Sequence, residues 1–103
     1  MKITDIKIRR LYPDGRMRAV LSVTFDNALV VHDLKVIDLP DRTFVAMPSR
    51  RDENGQFRDI VHPIHAHMRA ELEQELLMAY KRALQSPLYH DFANSGVAER
   101  RET

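Results

Sequence analysis

The chain contains no cysteine, which excludes disulfides, thiol nucleophiles and cysteine-ligated zinc and fits a cytoplasmic protein. It has three glycines, at positions 15, 55 and 96. They are scattered through turn-like stretches, so no glycine-rich loop that could cradle a phosphate is present. No apolar run approaches the roughly 18 residues that suggest a membrane span. The opening residues, Met1-Lys2-Ile3-Thr4-Asp5, lack the apolar region of a secretory signal. We therefore expect no membrane partner and a cytoplasmic location. An excess of charge is missing too. The net charge of +1 is not the balance of a strongly basic nucleic-acid protein.

What is there reads as an ordinary globular domain. The 103 residues, 44% hydrophobic and 30% charged, suffice for a single core. We expect one domain over 1–85, followed by a polar, flexible tail over 86–103, where Tyr89 and Phe92 are the residues able to pin it down. Charge is unevenly spread. Residues 1–35 hold seven Lys and Arg against four Asp and Glu, whereas 36–63 and 64–103 are each slightly acidic. An electropositive surface must therefore be assembled by the fold from the first third and from Arg50-Arg51.

Hydrophobic periodicity predicts an antiparallel meander. Ile3, Ile6 and Ile8 mark a first strand, and Tyr12-Pro13-Asp14-Gly15 a turn in which Pro presets φ and Gly supplies the permissive position. Met17, Ala19, Leu21, Val23 and Phe25 then alternate with Arg18, Ser22 and Thr24, the period of a half-buried strand. Asp26-Asn27-Ala28 returns the chain into Leu29–Ile37, whose Val30, Val31, Leu34, Val36 and Ile37 predict a more fully buried strand. Within it, His32 and Asp33 read as hydrogen-bonding residues of the sheet. Adjacent strand residues point to opposite faces, which disfavours a catalytic pair. Leu39-Pro40-Asp41-Arg42 turns into a fourth strand, Thr43–Met47.

Pro48 breaks that strand, and Ser49-Arg50-Arg51 leads to Asn54-Gly55, a turn signal because both residues tolerate positive φ. The chain returns through Phe57, Ile60 and Val61 as a fifth strand. The hairpin would carry two arginines near its tip, suited to phosphate and guanine edges or simply to solvation, with Asp52 and Glu53 beside them. From Ile64 the period lengthens: Ile64, Met68, Leu72, Leu76, Tyr80 and Leu84 recur every four residues. This predicts an amphipathic helix from about His65 to Leu84 covering one sheet face, acidic early and basic late, ending before Ser86-Pro87. His62, His65 and His67 are spaced by three and two, not by the four that pairs ligands on a helix. We expect no metal, no cofactor and no enzyme active site.

Several ordered segments together resemble one family: Asp14-Gly15-Arg16-Met17-Arg18-Ala19, Val30-Val31-His32-Asp33, Phe44-Val45-Ala46-Met47-Pro48-Ser49-Arg50-Arg51, Gly55, Phe57-Arg58-Asp59-Ile60 and His62-Pro63-Ile64. Across about Met1–Leu84 they resemble the SpoVG (stage V sporulation protein G) family. The resemblance implies an α+β fold, here a five-stranded antiparallel meander with a C-terminal helix on one face. It also implies a homodimeric bacterial regulator of cell division, septation and sporulation that binds DNA and RNA at specific sites. The binding residues implied are Arg50 and Arg51, with Arg58 on the return strand. Lys7, Arg9, Arg16 and Arg18 form a possible supporting basic face. His65-Ala66-His67 departs from the family's usual helix cap, and Asp52-Glu53 from a more basic or neutral hairpin tip. The rival reading is a non-catalytic protein-interaction module influencing septum formation.

Overall fold

Ala19, Leu21, Val23 and Phe25 are all buried, and the strand they define is the centre of the fold. The computed structural model describes residues 1–85; the expected tail, 86–103, lies outside the described residues. Strands β1 (Ile3–Leu11), β2 (Met17–Phe25), β3 (Leu29–Leu39) and β4 (Arg42–Ala46) pair antiparallel in the order β1-β2-β3-β4. The turn between β2 and β3 holds Asp26 and Asn27 at φ 53° and 51°. The Ala28 N–H donates to the Phe25 carbonyl at 2.9 Å. Two left-handed central residues give a turn whose twist matches that of the flanking strands.

Helix α1 (Ala66–Leu84) lies over one face of this sheet. Leu72, Leu76 and Tyr80 join Leu11, Leu34, Val36, Val45 and Met47 in the core, with Met68 and Leu84 packed against it. Ile64 does not join the stripe. It precedes the helix and is 88% exposed. The first turn carries no acidic residue, because the glutamates begin at Glu71, while Lys81 and Arg82 sit in the last turn, where cations complement the helix dipole. The cap is His65. Its extended backbone (φ −138°, ψ 159°) lets Nδ1 accept from the Met68 N–H at 3.2 Å, satisfying one amide that the helix itself leaves unpaired. The outer edge of β4 is tied to α1, since the Val45 N–H donates to Glu73 Oε2 at 3.0 Å.

Irregularities in β3 correct its expected burial. Leu21 pairs with Leu34 but Val23 with Val31, so Ser22 faces both His32 and Asp33. The extra residue is accommodated by Asp33 at φ 68°, which marks a β-bulge. Val31 and Leu34 therefore share the core face although three residues apart. Val30, expected to be buried, is 45% exposed, and Leu29 at the start of the strand is 53% exposed. Val30 lies on the face opposite α1, across from Thr24, and Leu29 lies at the rim beside the turn.

The α+β class, the meander order and the helix on one face match the sequence reading, but the fifth strand does not extend the sheet. Beyond Met47, the buried Pro48 has no N–H to offer a ladder. The chain restarts as a separate two-stranded ribbon of β5 (Ser49–Arg51) and β6 (Phe57–Asp59). Among the described residues, no helix is long and apolar enough to cross a membrane.

Candidate functional site

The ribbon pairs Ser49 with Asp59, Arg50 with Arg58 and Arg51 with Phe57. The Ile60 N–H donates to the Pro48 carbonyl at 2.7 Å, closing its base. At the tip, Asp52 does most of the organising. Its N–H donates to the Gln56 carbonyl at 2.8 Å and its carbonyl accepts from Gly55 N–H at 3.0 Å. Its Oδ1 accepts from the N–H groups of Asn54 (2.9 Å) and Gln56 (3.0 Å). Oδ2 accepts from Arg58 Nε at 2.7 Å. Those contacts, Arg58 foremost and then the Gln56 and Asn54 amides, hold the Asp52 carboxyl below the usual aspartate range. Gly55 is left-handed at φ 81°, whereas Asn54 is not. The turn thus spans Asp52 to Gly55, rather than being a two-residue Asn-Gly turn with both φ positive. A short acid that bonds its own backbone two residues on is a strong turn former.

This geometry separates the three arginines. Arg50 and Arg58 are direct cross-strand neighbours, so they share one face of the ribbon, and Arg58 is held by Asp52. Arg51 points to the other face, its guanidinium 5.1 Å from the Phe57 ring centroid. Phe57 is 67% exposed. Arg50 and Arg51, both exposed, therefore present charge on opposite sides of one anchored projection. Such a ribbon can place one guanidinium on a phosphate and another, backed by a ring, on a second phosphate or a base.

The supporting cations divide. Lys7 lies opposite Ser22, and Arg9 Nε donates to Ser22 Oγ at 3.1 Å, so both lie on the sheet face that α1 leaves uncovered. Arg16 is exposed in the β1–β2 connection. Arg18 is committed elsewhere, to Asp38 Oδ2 at 3.3 Å and the Pro13 carbonyl at 3.0 Å. Sequence reasoning passed over Arg10, Lys35 and Arg42, which join Lys7 and Arg9 on that face. Their register with Val20, Ala46 and Leu39 could have been drawn only with the bulges in hand.

Three histidines serve local structure. His32 Nδ1 lies 2.7 Å from Ser22 Oγ, His62 Nδ1 lies 3.0 Å from the Pro63 carbonyl, and His65 caps α1. Among the described residues, no group of three His, Cys, Asp or Glu could hold a metal ion.

A small antiparallel sheet backed by one helix, with an arginine-bearing two-stranded ribbon beside it, defines a small α+β protein. The SpoVG family model matches residues 1–82. The chain is 54% identical over 84 residues to a protein of Clostridioides difficile (strain 630), covering 82% of this chain and 91% of that one. It is 50% identical over 84 residues to a protein of Acholeplasma laidlawii (strain PG-8A), covering 82% and 89%. It is 52% identical over 83 residues to one of Caldanaerobacter subterraneus subsp. tengcongensis, covering 81% and 91%. All three bear the name "Putative septation protein SpoVG". The chain belongs to the SpoVG family.

Proposed function

We propose that this chain is a non-catalytic, cytoplasmic regulator that acts in septation and sporulation by binding DNA or RNA at specific sites as a homodimer. The septation role is supported by the names of its relatives. Nucleic-acid binding is supported above all by one observation: the Asp52-braced ribbon carries exposed Arg50 and Arg51 on opposite faces. Phosphate contacts would supply affinity, and a base-edge contact by one guanidinium would supply preference. Arg58, bound to Asp52, would set the shape of the ribbon more than bind.

Dimerisation is supported by apolar groups that stand exposed among the described residues. Leu29 and Val61 are exposed and line an apolar cleft with Met1, Val31, Pro63 and Met68; Ile60 and Ile64 are also exposed nearby in sequence. Covering such a cleft with a second copy would double the arginine ribbons, and linked sites gain affinity without new contacts. The same exposed groups favour the second reading, a protein-interaction module that docks a different partner there. Titration of the full chain against DNA and RNA pools at two salt concentrations separates the readings. Phosphate binding weakens steeply with salt, whereas a largely apolar interface does not. Light scattering at micromolar concentration should return twice the 12.0 kDa chain mass, and a persistent monomer would remove the dimer.

A further inference from the structure

The sheet has a second face, and its side chains fall into ordered rows. Met17 pairs with Ile37 and Ile37 with Phe44. On β1 the row continues at Tyr12, whose N–H donates to the Arg18 carbonyl at 2.9 Å. The neighbouring row runs Arg10, Val20, Lys35, Ala46. A bulge beside Arg10 turns Arg9 to the same side, where it meets Ser22. Met17, Val20, Ile37 and Phe44 are half-buried yet stand outside the core that α1 covers. An apolar row with an aromatic ring at each edge thus lies beside a row that carries two cations, Arg10 and Lys35.

Both rings are paired with guanidinium groups: Arg10 is 5.4 Å from the Tyr12 centroid and Arg42 is 4.5 Å from that of Phe44. Lys7 and Lys35 add to the positive charge, and Asp5 lies at the far end, opposite Thr24. The charge calls for a polyanion, and the flat apolar row calls for one with exposed ring faces. A duplex hides its base faces in the stack, but a single strand offers them. Four-stranded sheets with surface aromatics stack two or three bases in this way. The distance from β1 to β4, three strand spacings or about 14 Å, matches that number.

We propose that the face of β1–β4 opposite α1 is a platform for single-stranded nucleic acid, with bases stacked on Tyr12 and Phe44 and phosphates held by Arg10, Lys35 and Arg42. This rests on the nucleic-acid reading of the ribbon and deepens it by naming the strandedness of the ligand and a second contact surface. Stacking tolerates any base, so this face supplies affinity for an open strand while the ribbon supplies position.

The test uses the full chain with oligouridine, oligothymidine and a duplex as probes. Photo-crosslinking of the wild-type chain to halogenated oligouridine, mapped by mass spectrometry, should mark Tyr12 or Phe44. The variant Tyr12→Leu with Phe44→Leu should weaken single-strand binding by about tenfold or more and duplex binding far less. Lys35→Gln with Arg42→Gln, which leaves the apolar row intact, should weaken single-strand binding and flatten its salt dependence. Normal single-strand binding by both sheet variants, alongside its loss in Arg50→Ala with Arg51→Ala, would overturn the platform and leave the ribbon standing. Absence of binding to every probe by the wild-type chain would overturn both. A sheet variant that changes the mass by light scattering and leaves binding intact would make this face a subunit contact and also overturn the platform.

Discussion

The four-stranded sheet with its helix and the β5–β6 ribbon are held by different physics. In the sheet and its helix, Leu21, Leu34, Val36, Val45 and Leu76 are at most 1% exposed, and burial of apolar surface dominates. In the ribbon every residue of both strands is exposed, and order comes from one acid, one glycine and three paired positions. The core can thus keep its shape while the ribbon changes charge, and the ribbon can be loosened without dissolving the core. A charged element carried on such a projection is free to vary because stability is provided elsewhere.

The largest effect should come from the core. Leu76→Ala removes a side chain with no exposure and should lower stability by about 2–5 kcal/mol, read from chemical denaturation. A loss under about 0.5 kcal/mol would mean that α1 is not part of the core. Next is Gly55→Ala. At φ 81° a side chain is strained even though open space surrounds the position. The cost should be about 1–2 kcal/mol, borne by the ribbon. Amide exchange at Asp52 and Gln56 should quicken while the β2 amides stay protected. A parallel loss of β2 protection would show that ribbon and core unfold as one.

Acid should act on the ribbon through Asp52. The folded-state value of Asp52 is depressed, so its contribution is present above the unfolded aspartate value of about 3.9 and is lost as pH falls through the lower folded value. Exchange at Asn54 and Gln56 should rise over that interval, and Asp52→Asn should abolish the pH dependence. If the variant keeps it, another group braces the tip. The smallest effect should be that of Arg50→Ala with Arg51→Ala on stability, within about ±0.5 kcal/mol as for exposed substitutions generally.

Much of the sheet and helix could be read from the sequence because period carries burial. The alternation from Ala19 to Phe25 and the four-residue stripe from Met68 to Tyr80 both point to the core they form. Bulges escaped because an extra residue leaves no compositional mark: His32-Asp33 breaks the β3 pattern, and only Asp33 at φ 68° explains how Val31 and Leu34 face the same way. Val30 and Ile64 were assigned inward because composition reports apolarity, not what lies opposite. At the site, Pro48 and Gly55 announced the ribbon and Arg50-Arg51 its charge. Asp52 was read as an opposing charge near the arginines, whereas its hydrogen bonds to Asn54, Gln56 and Arg58 make it the brace of the turn. Side-chain-to-backbone bonding of that kind depends on geometry that charge counting does not see.

One paired titration tests whether the ribbon arginines bind nucleic acid while the core is indifferent to them. Wild type and Arg50→Ala with Arg51→Ala are titrated against the same duplex DNA across a salt series. If each arginine neutralises one phosphate, a dimer loses about four contacts, and the slope of log affinity against log salt should flatten by about 0.9 per contact. A guanidinium that reads a guanine edge would also relax preference at that base by about 1–3 kcal/mol. Unchanged affinity and an unchanged slope in the double variant would contradict the claim.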